Sequence, residues 1–355
     1  MTQSFNDQIT QSPNLPITQF IIMNIIILLA GYGTRLRPHT YTKPKPLITV
    51  AGKPVLGHIL DGIANVPIDK IAFVVGYLGD QFEPYVKKQY PNVQAEYIEQ
   101  KEANGQASAI LLAKDAVRGP TCVIFGDTVT DVDLSKINTQ SSDDGVMFVR
   151  EVEDPRRFGV AQVGADGIIK RIIEKPATLE NRLALIGAYY VKDAAVLMSA
   201  CQHLVDNNIQ TKGEYYLADA LNVMIDRGAR LRTERANVWL DCGKPDAVLE
   251  TNRYLLGHGQ DNSASWENNS KVVVVPPVYI HPSAKIENSV IGPNTSIGEN
   301  CVVSNSIIRE SIIDSGAQVS QQVLANSLIG RDAIVGGRPR KFNVGDSSVV
   351  GFDED

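Results

Sequence analysis

The C-terminal part of this chain repeats an apolar residue every five or six positions, and that period restricts its fold more than any other feature. The repeating residues are Ile286, Ile291, Ile297, Val303, Ile308, Ile313, Val319, Leu324, Ile329 and Val335. Small or turn-forming residues fill the intervals. An α-helix needs a period of 3.6 residues, so this segment does not fold as a helix. A hexapeptide period with one apolar residue per flat face is typical of a β-helix, and its length disfavours a run of unrelated short strands.

Strand and helix patterns alternate in the preceding part of the chain. We predict strands at 24–30, 68–75, 93–98, 122–125, 144–150, 159–164, 167–173, 184–191 and 229–235, and helices at 54–65, 80–89, 106–116, 193–205, 215–227 and 245–256. This alternation predicts an α/β fold with a parallel sheet that helices cover on both faces. Residues 258–270 carry Gly, Gln, Asn and Ser, which indicates a linker. We therefore expect an α/β domain at 23–257, a linker at 258–271 and a β-helix with its tail at 272–355.

The first 22 residues are predicted to be a disordered extension. Residues 1–19 are polar and contain no Lys or Arg, whereas a secretory signal starts with positive charge. The apolar run at 20–30 is too short to cross a bilayer and is interrupted by Asn24. We hypothesise that Met23 is the true start codon, which the intact mass of the natural protein would test.

Composition limits the classes of function. Hydrophobic residues make up 43% of the 355 residues and the net charge is −6, which disfavours a general nucleic-acid-binding role. The four cysteines are widely spaced and form no Cys-x-x-Cys pair. We therefore expect neither a zinc site nor a disulfide framework, and we expect a cytoplasmic protein without a membrane partner.

A glycine-rich, basic loop follows the first predicted strand. Gly31 and Gly33 let the backbone approach a ligand and present N–H groups to it. Four cations follow within a short span, and prolines restrict the loop between them. These cations are Arg35, Arg37, Lys43 and Lys45. The combination favours a triphosphate site over a basic surface loop.

Better-known glycine motifs do not fit this loop. A dinucleotide fingerprint needs Gly or Ala at the position of Leu36. A Walker motif needs Ser or Thr after Gly52 and Lys53, where this chain has Pro54. A kinase would need an acidic catalytic loop, which we do not find in the sequence.

The loop resembles the signature of the sugar-1-phosphate nucleotidylyltransferases, which reads Gly-x-Gly-Thr-Arg-Leu-x-Pro followed by Lys-Pro-Lys-Pro. Both parts are present, at 31–38 and at 43–46. The resemblance implies a Rossmann-like domain with a mostly parallel mixed sheet, and a reaction in which a sugar-1-phosphate attacks a nucleoside triphosphate. It also implies that Gly31, Gly33 and Thr34 bind the nucleotide. Arg35 and Lys45 would be catalytic, stabilising the leaving pyrophosphate and the α-phosphate.

Two aspartates follow apolar strands in distant parts of the sequence. Asp127 comes after the strand at 122–125, and Asp241 follows Trp239 and Leu240. Such carboxylates could share Mg²⁺, a hard ion that takes oxygen ligands, although a single Asp at a strand end is more often a turn or cap. The resemblance implies that Asp127 and Asp241 are the metal ligands. Thr128 stands where the family usually has Asn.

The resemblance also implies residues that contact the base and the sugar phosphate. Gln100 and Gly105 match the pair that reads a pyrimidine in thymidylyl- and uridylyl-transferring members, with Gln106 replacing the usual Leu. A Gln amide both donates and accepts, as the N3–H and O4 of thymine or uracil require. The residues that match the sugar-phosphate contacts are Gly159, Glu174, Lys175 and Gly187.

The tail at 337–346 is similar to that of the long-form glucose-1-phosphate thymidylyltransferases, which append a left-handed β-helix to the catalytic domain. This implies conversion of dTTP and glucose-1-phosphate to dTDP-glucose, with UTP or another sugar phosphate as alternatives. An acyltransferase site is disfavoured because His281 is the only histidine after the linker. A catalytically silent sugar-nucleotide-binding subunit would be expected to have lost Arg35, Lys45, Asp127 or Asp241, and all four are present. We interpret the β-helix as an assembly or regulatory element, and we expect a homo-oligomer.

Overall fold

The computed structural model of the chain describes residues 22–138, 141–266 and 270–338. The predicted N-terminal extension, except for Ile22, and the tail motif from residue 339 onward lie outside the described residues. Within the described part, no helix is long and apolar enough to cross a membrane.

The N-terminal part is a layered α/β fold around a mixed sheet. Its strands are β1 (Met23–Leu29), β2 (Thr49–Val50), β3 (Lys53–Pro54), β4 (Ile68–Val75), β5 (Ala95–Glu99), β6 (Thr121–Phe125), β7 (Thr128–Thr130), β8 (Gly145–Glu151), β9 (Gly159–Val163), β10 (Ile169–Glu174), β11 (Leu183–Val191), β12 (Leu231–Arg235) and β13 (Trp239–Asp241). Its helices are α1 (Val55–Gly62), α2 (Phe82–Gln89), α3 (Gln106–Leu112), α4 (Ala194–Asp206), α5 (Leu217–Asp226) and α6 (Pro245–Leu255).

The main sheet runs in the order β10-β9-β11-β6-β1-β4-β5, and β8 pairs with β11 and β12. β6, β1, β4 and β5 are parallel, whereas β11 runs antiparallel to β6. The loops after β1, β5 and β6 therefore leave the sheet at one edge, as expected for a parallel sheet that binds a ligand there. The prediction of a mostly parallel mixed sheet is confirmed.

The two faces of the sheet are covered by different helices. Ile25, Ile26 and Ile27 of β1 are all completely buried, because successive side chains point to opposite covered faces. Ile25 and Ile27 pack in a cluster with residues of α1, α2 and α6. Ile26 packs in a second cluster with residues of α3, α4 and α5.

Most predicted elements are present, with shifted ends. The helix predicted at 54–65 ends at Gly62, a poor helix former that is followed by turns and a proline. The helix predicted at 80–89 begins with a 3₁₀ turn over Gly79–Gln81. The short strand β7 was not predicted, because it is formed by pairing with β13.

The C-terminal part is a parallel β-helix with the left-handed fold that was predicted. Its strands are β14 (Val272–Val274), β15 (Val278–Ile280), β16 (Lys285–Glu287), β17 (Ser289–Ile291), β18 (Thr295–Ile297), β19 (Val302–Ser304), β20 (Ile307–Arg309), β21 (Ile312–Ile313), β22 (Gln318–Ser320), β23 (Val323–Ala325), β24 (Leu328–Ile329) and β25 (Ile334–Gly336). Within residues 270–338 they form three sheets of four strands. Val273 pairs with Val290 and Ile307 with Val323, so these turns of the β-helix take 17 and 16 residues.

Seven of the ten residues of the apolar repeat are buried in the core of the β-helix, and Leu324, Ile329 and Val335 are partly buried and pack against it. Asn288, Asn294, Asn300 and Asn305 have φ values between +48° and +56°, a region that Asn tolerates better than most residues. Before the β-helix, Asn262 donates its backbone N–H to the Val278 carbonyl at 2.9 Å, and its side chain bonds both backbone groups of Ile280. The segment predicted to be a linker is therefore held against the first turn.

Candidate active site

A cavity of about 260 Å³ opens at the edge of the sheet where β6 ends. It is lined by seven of the residues predicted from the sequence, namely Arg35, Asp127, Gly159, Glu174, Lys175, Gly187 and Asp241. The structure thus brings together both predicted metal ligands, all four predicted sugar-phosphate residues and one of the two predicted catalytic cations.

A small pair of strands places the two aspartates side by side. β7 and β13 are antiparallel, with Asp241 opposite Thr128, and the Cys242 N–H donates to the Asp127 carbonyl at 2.9 Å. A Cβ on Gly243 would lie 2.7 Å from Asp241 Oδ1 and 2.9 Å from Arg35 Nη2. Glycine at this position therefore lets the Arg35 guanidinium approach the Asp241 carboxylate.

The charges around these carboxylates are unequal. The Lys45 ammonium forms an ion pair with Asp127. Although burial raises the pKa of Asp127, Lys45 and the Thr128 hydroxyl outweigh it and hold that pKa below its usual value. Burial, and secondly the charge of Asp127, raise the pKa of Asp241. The pair of carboxylates thus carries repulsion that a bound cation would relieve.

The donor set of this pair suits a hard divalent cation. Both aspartates supply oxygen, and the described residues contain no group of three or more His, Cys, Asp and Glu side chains that could enclose a metal. A cation such as Mg²⁺ takes one or two carboxylates and completes its octahedron with water and substrate phosphates. Asp127 and Asp241 fit that pattern.

The sugar-phosphate side of the cavity is built by β9, β10 and β11. A Cβ on Gly159 would lie 2.9 Å from Glu174 Oε2, so glycine leaves room beside this carboxylate. Burial is the main cause of the raised pKa of Glu174. Gly187 lines the cavity, has φ +83° and lies where the pairing of β11 with β8 is irregular.

Lys175 is held in an uncommon conformation. Its φ is +49°, which is rare outside glycine and occurs at functional sites. Its ammonium donates to the Tyr216 hydroxyl at 2.8 Å and lies 3.8 Å from Glu174 Oε1. Burial lowers the pKa of Lys175, but Tyr216 and the nearby carboxylates outweigh it, so the pKa is raised and the ammonium stays charged.

The remaining predicted residues do not line this cavity. They lie on the glycine loop, next to it at Lys45, and after the end of β5. Gly33 has φ +62°, and a Cβ there would lie 2.9 Å from Lys45 Cβ. Its carbonyl accepts from the Thr40 hydroxyl at 2.8 Å. Gly31 and Thr34 lie on the same loop and are exposed. The loop therefore leaves backbone N–H groups open to a ligand next to Lys45.

Gln100 and Gly105 lie close together after the end of β5. Gln100 Nε2 is 3.3 Å from the Gly105 carbonyl and 3.3 Å from the Ser108 hydroxyl. Gly105 has φ +122°, and a Cβ there would clash with the Tyr215 backbone. Tyr215 in turn accepts from the Ala107 N–H at 2.9 Å, which fixes this turn at the start of α3.

The interpretation of Lys43 as a phosphate-binding cation is wrong. Lys43 is 5% exposed and forms an ion pair with Asp314 of the β-helix. Arg37 lies over the Tyr41 ring, 5.2 Å from its centroid. Sequence spacing could not reveal the ion pair of Lys43, because its partner Asp314 lies 271 residues away.

Several cavity residues were not chosen from the sequence. Arg157 and Phe158 line it, and Phe158 packs edge-on against Trp239 with ring centroids 4.8 Å apart. Both directly precede Gly159 in the sequence, and that proximity was the available signal. Tyr216, which directly precedes α5 and does not line the cavity, was missed because only the fold places it beside Lys175.

Comparison with known proteins shows which families the two parts of the chain match. Residues 24–257 match the family described as nucleotidyl transferase, and residues 274–353 match the GMPPB C-terminal domain. Bifunctional protein GlmU of Methanococcus maripaludis is 32% identical over 315 residues, covering 81% of this chain and 74% of the relative. A glucose-1-phosphate thymidylyltransferase of Streptomyces griseus is 31% identical over 343 residues, covering 89% of this chain and 94% of the relative.

Other relatives match about two thirds of this chain. UTP–glucose-1-phosphate uridylyltransferase AglF of Haloferax volcanii is 32% identical over 239 residues, covering 66% of this chain and 96% of the relative. Among solved structures, a putative glucose-1-phosphate thymidylyltransferase of Bacillus anthracis aligns with a TM-score of 0.57 and 28% identity, covering 65% of this chain and 94% of that one.

Proposed function

Because this chain belongs to the nucleotidyl transferase family and is a sugar-1-phosphate nucleotidylyltransferase, we propose that it forms dTDP-glucose and pyrophosphate from dTTP and glucose-1-phosphate. The observation that carries the proposal is the cavity itself. It joins Glu174 and Lys175, suited to a sugar phosphate, with Asp127, Asp241 and Arg35 beside the glycine loop. The whole-length similarity to a thymidylyltransferase supports the choice of substrates.

The reaction needs neutralisation and alignment more than proton transfer. An oxygen of the sugar phosphate forms a bond to the α-phosphorus, and the bond from that phosphorus to the bridging oxygen breaks as pyrophosphate leaves. Both reactants are anions, so placing them in line beside fixed cations lowers the barrier. No general base is required, because the attacking phosphate is already ionised.

Each cation has a separate task in this proposal. Lys175 holds the attacking phosphate, with its ammonium oriented by the Tyr216 hydroxyl. Arg35 neutralises the charge that develops on the leaving pyrophosphate. Lys45 neutralises charge on the α-phosphate, and its ion pair with Asp127 orients its ammonium.

The carboxylates and the glycine-rich turns complete the site. Asp127 and Asp241 would hold Mg²⁺, which when bound adds positive charge next to the phosphate oxygens. Glu174 accepts hydrogen bonds from sugar hydroxyls, and Gly159 and Gly187 let the sugar approach the backbone. Gln100 and Gly105 bind the edge of the base, while Gly31, Gly33 and Thr34 present N–H groups to the triphosphate.

The test is pyrophosphate release with Mg²⁺ across a grid of nucleoside triphosphates and sugar-1-phosphates. We expect the highest kcat/KM for dTTP with glucose-1-phosphate. A maximum at another pair would retain the reaction class and overturn the substrates. Silence across the grid together with tight sugar-nucleotide binding would overturn the activity and indicate a regulatory subunit.

Uridylyl transfer is the second candidate. The edge that Gln100 and Gly105 would read is common to thymine and uracil, and AglF carries the name of a uridylyltransferase. The thymine methyl group contributes only about 1–3 kcal/mol of discrimination in a pocket. Direct competition between dTTP and UTP for one sugar phosphate distinguishes the two candidates.

A further inference from the structure

The β-helix forms an ion pair with the segment that carries Lys45. Asp314, directly after β21, accepts from the Lys43 ammonium through Oδ2. Its Oδ1 accepts from the Ser315 N–H at 2.8 Å and lies 3.4 Å from the Thr49 hydroxyl. Lys43 and Asp314 are 5% and 9% exposed. The pair is therefore shielded from water at the boundary between the two parts of the chain.

Further contacts enclose the segment at 38–54 against the β-helix. Ile312 is buried in the apolar cluster of the α/β part, with Leu328 packed against it. A Cβ on Gly330 would lie 3.5 Å from His39 Nδ1. Asn252 is completely buried, and its Oδ1 accepts from the Ala51 N–H at 2.8 Å and from the Ser296 hydroxyl at 2.6 Å.

Lys43 is connected to Lys45 by a short and restricted stretch of chain. Pro44 lies between them with φ −66°, and Lys45–Leu47 forms a 3₁₀ turn that closes with a bond of 2.9 Å from the Leu47 N–H to the Pro44 carbonyl. Displacement of Lys43 is therefore transmitted to Lys45. Lys45 in turn pairs with Asp127 at the cavity.

We propose that Asp314 is a positioning residue for nucleotidyl transfer, because its pairing with buried Lys43 holds Lys45 where the α-phosphate is bound. The inference deepens the proposed function and rests on it. Without Asp314, Lys43 would be a buried and unpaired charge, which is strongly unfavourable. The segment would then rearrange to bring Lys43 to water, and Lys45 would move with it.

A second ion pair between the two parts of the chain provides a matched control. Arg253 of α6 donates to Glu310 Oε2 through Nε at 2.9 Å and Nη2 at 2.7 Å. Glu310 also accepts from Asn294 within the β-helix. This pair joins the same two parts without contacting the segment at 43–47, so Glu310→Gln weakens their attachment and leaves the loop contact intact.

The kinetic test compares Asp314→Asn with Glu310→Gln in the full chain, at saturating substrates. We expect Asp314→Asn to lower kcat at least ~10-fold, since small misplacements of a catalytic group have large effects. Glu310→Gln should stay within about twofold. The double variant Lys43→Met with Asp314→Leu should regain most of kcat, because an apolar pair leaves no buried charge. Unchanged kcat in Asp314→Asn, or equal losses in both single variants, would overturn the inference.

Hydrogen exchange of the amides at 43–49 separates this inference from the proposed function. Asp314→Asn should accelerate their exchange, and Glu310→Gln should not. Faster exchange in a protein that is inactive on every substrate pair would overturn the proposed function and leave the contact's effect on the loop established. Unchanged exchange in an active enzyme would overturn the positioning role alone.

Discussion

Replacing Lys45 by Met is the most informative perturbation of the site. Lys45 pairs with Asp127, and the two side chains are 10% and 31% exposed. Removing one partner of a fully buried ion pair lowers the free energy of unfolding by about 3–5 kcal/mol. For an exposed ion pair the loss is below about 1 kcal/mol. With one buried and one partly exposed partner, we expect the free energy of unfolding to fall by about 2 kcal/mol.

The effect on catalysis should be larger. Lys45 is the cation assigned to the α-phosphate, so its loss removes charge stabilisation where the bond forms. We expect kcat at saturating substrates to fall at least ~100-fold, equivalent to about 3 kcal/mol. Pyrophosphate release measures kcat, and urea unfolding shows that the variant is folded under the assay conditions.

Lys53→Met is the matched control for Lys45→Met. Lys53 also pairs with a carboxylate, Asp61, but their side chains are 37% and 44% exposed and lie outside the cavity lining. We expect a stability change below about 1 kcal/mol and unchanged kcat. Near-normal turnover of folded Lys45→Met at saturating substrate would refute the role of this residue.

Further predictions concern the base, the sugar phosphate and the metal. Gly105→Ala should destabilise the fold by about 1–3 kcal/mol, because the φ of Gly105 is +122° and a Cβ there would clash with the Tyr215 backbone. The same variant should raise KM for the nucleotide. An unchanged midpoint of urea unfolding would contradict the predicted destabilisation. KM for the sugar phosphate should rise as pH falls through the raised pKa of Glu174, since protonation removes an acceptor, and Glu174→Gln should abolish that pH dependence. Tyr216→Phe should raise the same KM by about 2–10-fold, equal to one lost hydrogen bond on Lys175, and leave KM for the nucleotide unchanged. A chelator should stop pyrophosphate release and added Mg²⁺ should restore it; full activity in the chelator would exclude a required metal.

Local patterns predicted much of the fold. The repeat from Ile286 to Val335 marks the inward-facing residues of the β-helix, because each of those positions is set by the five- or six-residue spacing along the chain. β4 was predicted with its observed ends, since the apolar run at 71–75, which stops at Gly76, is typical of a buried strand. The glycines and cations of the loop after β1 indicated a phosphate site, because phosphate binding needs such residues close together, and the resemblance of this loop to a family signature implied the reaction class.

Contacts between distant parts of the chain could not be predicted from the sequence. β7 exists only through its pairing with β13, and that pairing sets Asp241 beside Asp127. Tyr216 reaches Lys175 only because α5 packs near β10.

The sequence by itself determined the strand and helix pattern, the period of the β-helix and the motifs of a nucleotidylyltransferase. The tertiary structure decided which carboxylate forms an ion pair with each of two neighbouring lysines. Lys43 and Lys45 are chemically alike and two residues apart, yet Lys43 pairs with Asp314 and Lys45 with Asp127. The physical reason is that the charge of a buried lysine needs a nearby counter-charge, and the packing of the two parts of the chain determines which carboxylate is within reach.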